Sequence, residues 1–392
     1  MINSISRDKC CGCEACVQAC AIRCIDLVED DEGFLFPKID FDRCVKCNRC
    51  EKVCPVVNQT PKIKPKAGYA YRTKDESLLL RTSSGGFFTA AAQKVLAQGG
   101  VVFGAAFNNE NQVVHTYIDS IDDLDSLRRS KYVQSKIGNA FADCLHFLKL
   151  GRKVLFCGTP CQIKALNLFL GKKYENLVAI DFVCHGVPSP GIFRSYLNEL
   201  SDVKGYPFSE LHNINFRDKG LGFAYSFSFS FSFSSAFFRE NPKENIFLKG
   251  FLSDIFLRRS CYNCEAKGFT SGADYTMCDF WGISQKLPQF PSYKIPGVSQ
   301  VYVIRDALGI FESIDKSEMV LAFDLSDRRI KPAWIENSVP LPSRRLKFFS
   351  AIASGMSIMP ATKKYGERTK IERFFRFLFS CLSYTLRKVG VK

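Results

Sequence analysis

Two runs of cysteine at one spacing constrain this chain more than any other feature. The first is Cys10-x2-Cys13-x2-Cys16-x3-Cys20 and the second Cys44-x2-Cys47-x2-Cys50-x3-Cys54, followed by Pro55. Three thiolates two residues apart can wrap three irons of one cubane, while the fourth cysteine is carried away on a short helix and ligates the neighbouring cluster. That rule predicts two 4Fe-4S clusters, one on Cys10, Cys13, Cys16 and Cys54 and the other on Cys44, Cys47, Cys50 and Cys20. Zinc is the competing reading, since cysteines two apart also suit a tetrahedral site, but two matching quartets favour iron and sulfur, although Ala21 stands where a proline usually follows the fourth cysteine. Cys11 and Cys24 fall outside the pattern and are expected to be free thiols near the clusters.

Ten of the 18 cysteines precede residue 55, which is a ligand pattern rather than a disulfide framework. The opening residues Ile2 to Asp8 contain no apolar signal segment, so the expectation is a cytoplasmic protein with reduced thiols. With 46% hydrophobic and 24% charged residues, the 392-residue chain has globular composition. The formal charge of +15 is concentrated toward the C-terminus, where no nucleic-acid module is recognisable, and no nucleic-acid partner is expected. A helix expected over residues 371–387 sets Arg373, Arg376 and Arg387 beside Phe374, Phe375, Phe377 and Phe379. Its uncharged stretch is too short for the roughly 20 residues that span a bilayer. Packing on protein is the plain expectation, and peripheral membrane contact through this tail the alternative.

After a Pro- and Lys-rich stretch at Thr60–Lys66, strand-like and helix-like segments alternate in α/β texture. Val101–Ala105, Lys153–Cys157 and Leu177–Val183 read as buried strands, and 86–98, 139–150 and 162–170 as helices. Phe227, Phe229, Phe231 and Phe233 alternate with serine, a strand with one apolar face. Gly158-Thr159-Pro160-Cys161 and Cys184-His185-Gly186 end predicted strands, the edge at which open α/β sheets bind ligands. Cys161, Cys184, Cys261 and Cys264 could converge there as ligands of a third cluster or remain scattered reduced thiols. Cys144 and Cys381 read as small buried hydrophobes. Ser83-Ser84-Gly85-Gly86 opens a helix and offers amides and hydroxyls to an anionic phosphate, although a plain helix cap explains the serines as well. Lys131 is a candidate for a phosphate or a reduced ring system, and His185 for an acid or base; a solvated lysine and a structural histidine are their plainer roles. No phosphate-loop lysine motif, Gly-x-Gly-x-x-Gly or His-Glu-x-x-His occurs.

Residues 1–58 resemble bacterial two-cluster ferredoxins. Thr82–Phe87, Ser130–Ser135, Gly158–Gln162, Cys184–Ser189 and Asp279-Phe280-Trp281-Gly282 occur in an order similar to that of the beta-subunit family of deazaflavin (coenzyme F-420) hydrogenases and dehydrogenases. Cys278 stands where that family more often has glycine. The resemblance implies an iron-sulfur flavoprotein oxidoreductase with FAD in the core, for which Ser83, Ser84, Gly85, Gly86, Lys131, Gly158, Thr159 and Pro160 are the candidate contacts. It further implies a third cluster on Cys161, Cys184, Cys261 and Cys264. A ferredoxin or other redox protein is the expected donor, with a small-molecule substrate; the alternative is an electron-carrier or assembly subunit lacking flavin and substrate site. The expected organisation is an α+β ferredoxin-like domain (1–58), a linker (59–67), an α/β core with a mostly parallel or mixed sheet (68–175 and 176–345), and a basic helical tail (346–392).

Overall fold

The structure, a computed structural model, describes residue 2 and residues 5–219, 229–234, 236–291, 297–312 and 317–367. The expected tail helix with Cys381, and Phe227 of the Phe-Ser run, lie outside the described residues.

The cysteine-rich segment contains a single antiparallel hairpin, β1 (Ile25–Glu29) and β2 (Leu35–Ile39), and two one-turn helices, Ala15–Gln18 and Arg49–Lys52. Each helix starts after a residue at the same place in its cysteine run, Glu14 and Asn48, with φ of 59° and 58°. The repeated spacing therefore folds into a repeated turn.

Strands β3 (Ala67–Thr73), β4 (Val101–Phe107), β5 (Val113–Ile118), β6 (Val154–Gly158) and β7 (Leu177–Phe182) are followed by β8 (Leu211–Asn215), β9 (Phe229–Phe233) and β10 (Ala236–Glu240). The last three strands are β11 (Tyr275–Asp279), β12 (Ser299–Val303) and β13 (Glu318–Ala322). Eight of them form one mixed sheet in the order β13-β3-β12-β11-β7-β6-β4-β5. Its centre, β11-β7-β6-β4, is parallel, and the remaining pairs are antiparallel. Strands from both sides of residue 175 thus share one sheet.

The central strands are apolar on both faces because helices cover both. Val154, Phe156 and Ala179 point toward the helices Ala140–Lys149 and Pro160–Leu170. Leu155, Val178 and Ile180 point the opposite way, toward Phe87, Ala91 and Val95 of the helix Phe87–Leu96. Phe229, Phe231 and Phe233 are fully buried in a separate aromatic core with Phe193, Tyr196 and Phe247.

Two further helices, Arg344–Ala353 and Ile358–Tyr365, bury Phe348, Phe349, Ile358 and Ala361 in that same core. The stretch 346–365, which the sequence reading placed in the tail, is therefore core structure. Its apolar residues recur on one helical face and find the aromatic cluster, whereas the tail reading rests on residues 371–387.

The cysteine-rich unit is fastened to the core by hydrogen bonds. Glu14 accepts from the amides of Ile137 (3.0 Å) and Gly138 (2.9 Å), and Gln18 Oε1 from those of Phe141 and Ala142 (both 3.1 Å). Helix Ala140–Lys149 lacks a side-chain cap of its own, so Gln18 satisfies two of its orphan amides. On the other flank the hairpin meets the start of helix Pro190–Lys204 so closely that a Cβ at Gly33 would lie 2.6 Å from the Cα of Gly191.

Candidate functional site

Within the N-terminal unit the two cysteine runs interleave. Cys16 has Cys10, Cys54 and Cys50 as charged neighbours, and Cys54 has Cys10 and Cys50. Burial, reinforced by these neighbours, pushes the Cys16 and Cys54 thiols up. The fourth cysteine of the second run thus stands among thiols of the first. Cys20 lies 3.4 Å from Cys24, which in turn faces Cys44. Crowded, buried thiols fit a metal centre, whose positive charge holds them as thiolates. Among the described residues no three His, Cys, Asp or Glu side chains close on one point as for a single ion; a cubane takes each thiolate on its own iron, so its ligands stand further apart.

A second group of thiols surrounds a partly open cavity of about 50 Å³ at the C-terminal edge of the parallel strands. Cys161 is the second residue of helix Pro160–Leu170. That helix begins at Pro160 rather than Gln162, because Thr159 and Gln162 form a capping box. Cys184 follows β7, and Cys261 and Cys264 lie in and just after the single turn Arg259–Asn263. Lys267 Nζ pins this region by donating to the carbonyls of Cys184 (2.6 Å) and Trp334 (2.9 Å). Burial, then the neighbouring thiols, pushes Cys184 up to about 12 despite Lys267 nearby; burial and Cys161 push Cys264 up to about 11. Cys261 is raised the same way by burial, Cys184 and Cys264. The four cysteines are therefore mutual neighbours, costly to ionise without a cation among them, and the donor set suits a third cluster.

Cys11 is not a bystander. Its thiol neighbours both Cys13 and Cys161 and lines the cavity. It links the first cysteine run to the second group of thiols.

Beside the cavity opens a cleft of about 430 Å³ over the C-terminal ends of β4, β6, β7 and β11. Ser83, Ser84, Gly86, Lys131, Gly158, Thr159 and His185 line it, together with Cys278. Gly85 lies behind the wall, where a Cβ would come within 2.1 Å of the Tyr71 carbonyl oxygen, and Pro160 faces the thiol cavity. The two serine hydroxyls are engaged within the protein. Ser83 Oγ accepts from the Ser130 amide (2.6 Å), and Ser84 Oγ donates to the Val298 carbonyl (3.0 Å). Neither caps helix Phe87–Leu96, whose N-cap is Gly86 with φ 95°; the turn shapes the cleft, and the helix start faces it.

Lys131 is half-buried and donates to the carbonyls of Ser126 (2.9 Å) and Arg128 (2.7 Å). Burial, with Arg129 adding to it, pushes its ammonium down to about 7. His185 Nε2 meets Asp254 Oδ1 at 2.5 Å, so this ring is oriented by a carboxylate while it lines both cavities.

Residues the sequence reading passed over form much of the polar floor. Arg217 donates to both oxygens of Asp279 (2.8 and 3.3 Å), to the Tyr132 hydroxyl (3.1 Å) and to the Ser83 carbonyl (2.7 Å). His115 Nε2 faces the Cys157 carbonyl (3.1 Å), so it carries the proton, and Nδ1 accepts from Ser135 (2.8 Å). Burial pushes His115 down to about 4 and keeps it neutral. Neither carried a signal beforehand: His115 lies outside every predicted strand and motif, and Arg217 sits in a stretch with no motif at all.

Residues 151–315 match the model for the C-terminal part of the beta chain of coenzyme F420 hydrogenase/dehydrogenase. Residues 9–58 match that of a 4Fe-4S dicluster domain. A solved chain of the F420-reducing [NiFe] hydrogenase complex from Methanosarcina barkeri aligns over 78% of this chain and 93% of its own, at 14% identity and a TM-score of 0.43. No curated protein matches the chain. Among the described residues no helix is long and apolar enough to cross a membrane.

Proposed function

We propose that this chain, which through residues 151–315 belongs to the coenzyme F420 hydrogenase/dehydrogenase beta-subunit family and at residues 9–58 carries a 4Fe-4S dicluster domain, is an iron-sulfur flavoprotein oxidoreductase. It passes electrons between a low-potential redox protein of the ferredoxin class, three clusters, FAD and a small molecule held in the cleft. The observation that carries this reading is the common wall of the two cavities: Thr159, Gln162, Cys184, His185, Gly186 and Val187 line both. One side of Cys184 faces the thiol set and the other a cleft of about 430 Å³, within the about 300–1,000 Å³ that ligand pockets usually hold.

When bound, the clusters supply one-electron steps and the flavin the exchange between single electrons and pairs. The chain's own residues hold, orient and insulate these groups. Cys10, Cys13, Cys16 and Cys54 would hold one cluster, Cys20, Cys44, Cys47 and Cys50 the second, and Cys161, Cys184, Cys261 and Cys264 the third. Cys47 is the one exposed cysteine among those described. Exposed Arg43, Lys46, Arg49 and Lys52 flank it in sequence, outnumbering the exposed carboxylate of that stretch, Asp42, a bias suited to an acidic electron carrier. In the cleft, the start of helix Phe87–Leu96 and Lys131 present positive charge to an anionic cofactor. The Arg217–Asp279 pair fixes Tyr132 and the Ser83 turn.

Iron, acid-labile sulfide and flavin content of anaerobically purified protein test the proposal. About twelve irons and one FAD per chain are expected. Eight irons without flavin would instead make the chain an electron carrier or assembly subunit, and zinc in place of iron would overturn both readings.

Lys131 supplies a second test through pH. Its charge is present below about 7 and lost above it, so FAD should bind the flavin-stripped protein several-fold more weakly at pH 8.5 than at pH 6. Lys131→Met should flatten that dependence and Lys131→Arg hold the tighter affinity across it, as read from quenching of flavin fluorescence. A step that survives in Lys131→Met would assign it to another group.

A further inference from the structure

Arg258 is one of the largest fully buried side chains in the protein, at 1% exposure. A guanidinium withdrawn from water is costly unless a negative charge accompanies it. Its hydrogen bonds go to neutral acceptors: Nε to the Cys10 carbonyl (2.7 Å), Nη1 to Gln134 Oε1 (3.0 Å) and Nη2 to the Leu35 carbonyl (3.0 Å). Nη2 also points at Cys10 Sγ, 3.7 Å away. The rings of Phe34 and Phe36 cover the guanidinium at 5.2 and 4.2 Å. Among the described residues no carboxylate forms an ion pair with it. Glu14 feels its field, but spends its own oxygens on the Ile137 and Gly138 amides.

The position is as informative as the missing partner. Arg258 reaches from the turn that carries Cys261 to the backbone of the first cysteine run, and its charge is also felt at Cys161. It therefore stands between the Cys10 set of thiols and the Cys161 set. A cluster with four thiolates carries net negative charge, and reduction adds one electron and one more negative charge with no bond made or broken.

Resting on the reading given above, we infer that Arg258 is the buried counter-ion of the two clusters it separates. It stabilises the reduced form, raises the midpoint potential of the Cys10-ligated cluster, and so sets the downhill sense of transfer across the junction. It is a positioning and tuning residue: no atom of it need receive an electron.

The test uses the holoenzyme, reduced in steps with dithionite and followed by electron paramagnetic resonance. Arg258→Met should keep the wild-type iron content and shift one cluster's midpoint to more negative potential, and Arg258→Lys should restore most of that shift. Arg258 also ties two parts of the chain together, so a second measurement leaves the wild-type sequence intact. In protein labelled with ¹⁵N-arginine, pulsed resonance of the reduced Cys10-ligated cluster should show a nitrogen coupling that changes with the isotope. Wild-type iron with unchanged midpoints, or no isotope-sensitive coupling, overturns this inference alone. A chain that holds no iron overturns it together with the proposed function.

Discussion

On the proposed reading, replacing Cys264 with serine should remove about a third of the iron and stop electrons from reaching the cleft, while the N-terminal clusters should still accept them from dithionite. Cys264 is half-buried beside Cys161, Cys184 and Cys261, and a serine hydroxyl is a far poorer ligand than a thiolate. The eight N-terminal thiols belong to a separate part of the chain and keep their own geometry. Iron analysis, the resonance signals of the reduced protein and the rate of flavin reduction by a low-potential donor distinguish the cases. Cys144→Ala is the control, because Cys144 is fully buried among Phe141, Leu148 and Phe156, away from both cavities. Full iron and an undiminished rate in Cys264→Ser would show that these four cysteines hold nothing.

The second large effect belongs to Glu32. Its carboxylate, 8% exposed, accepts from Arg345 and from Arg259 Nε (3.1 Å) and Nη2 (2.8 Å), and so ties the cysteine-rich hairpin to helix Arg344–Ala353 and to the turn before Cys261. Glu32→Gln leaves the buried Arg345 without its charge partner and should cost about 3–5 kcal/mol. Urea unfolding, and cleavage by protease within residues 59–67, would report the loss. Burial alone would raise the Glu32 carboxyl, but the arginine hydrogen bonds outweigh it and hold it below the usual range. A depressed carboxylate contributes stability above its unfolded pKa of about 4.3, lost as pH falls through the folded value. The difference in stability between wild type and Glu32→Gln should therefore shrink below pH 4; a constant difference down to pH 2 would mean that the charge of Glu32 contributes little.

What could be read in the sequence was whatever has a short period. The cysteine spacing, the apolar runs of β6 and β7 and the alternating phenylalanines of β9 each announce themselves within ten residues. The capping box of Thr159 and Gln162 was equally local, and reading it would have moved the helix start to Pro160. The polar floor of the cleft has no such period. Arg217 and Asp279 are 62 residues apart and meet only because β11 lies at the centre of the sheet, while the segment carrying Arg217 folds over its edge. His115 becomes neutral and oriented only when β5 and β6 bring it to Ser135 and the Cys157 carbonyl. Cys11 looked idle because its partner Cys161 is 150 residues away, and Arg258 is one arginine of many until its burial is known.

The fastening of the cysteine-rich unit also bears on how such a chain can be recombined. A cysteine-rich module joined by a Pro- and Lys-rich linker looks like a cassette that could be exchanged for another. Gln18 caps a helix of the core, Glu32 pairs with two of its arginines, and Gly33 admits Gly191 at a distance no other residue allows. Any transplanted module would have to reproduce all three at once, or leave the recipient with bare helix amides, unpaired charge and a steric clash. The two parts of this chain are interlocked components that can be varied only together.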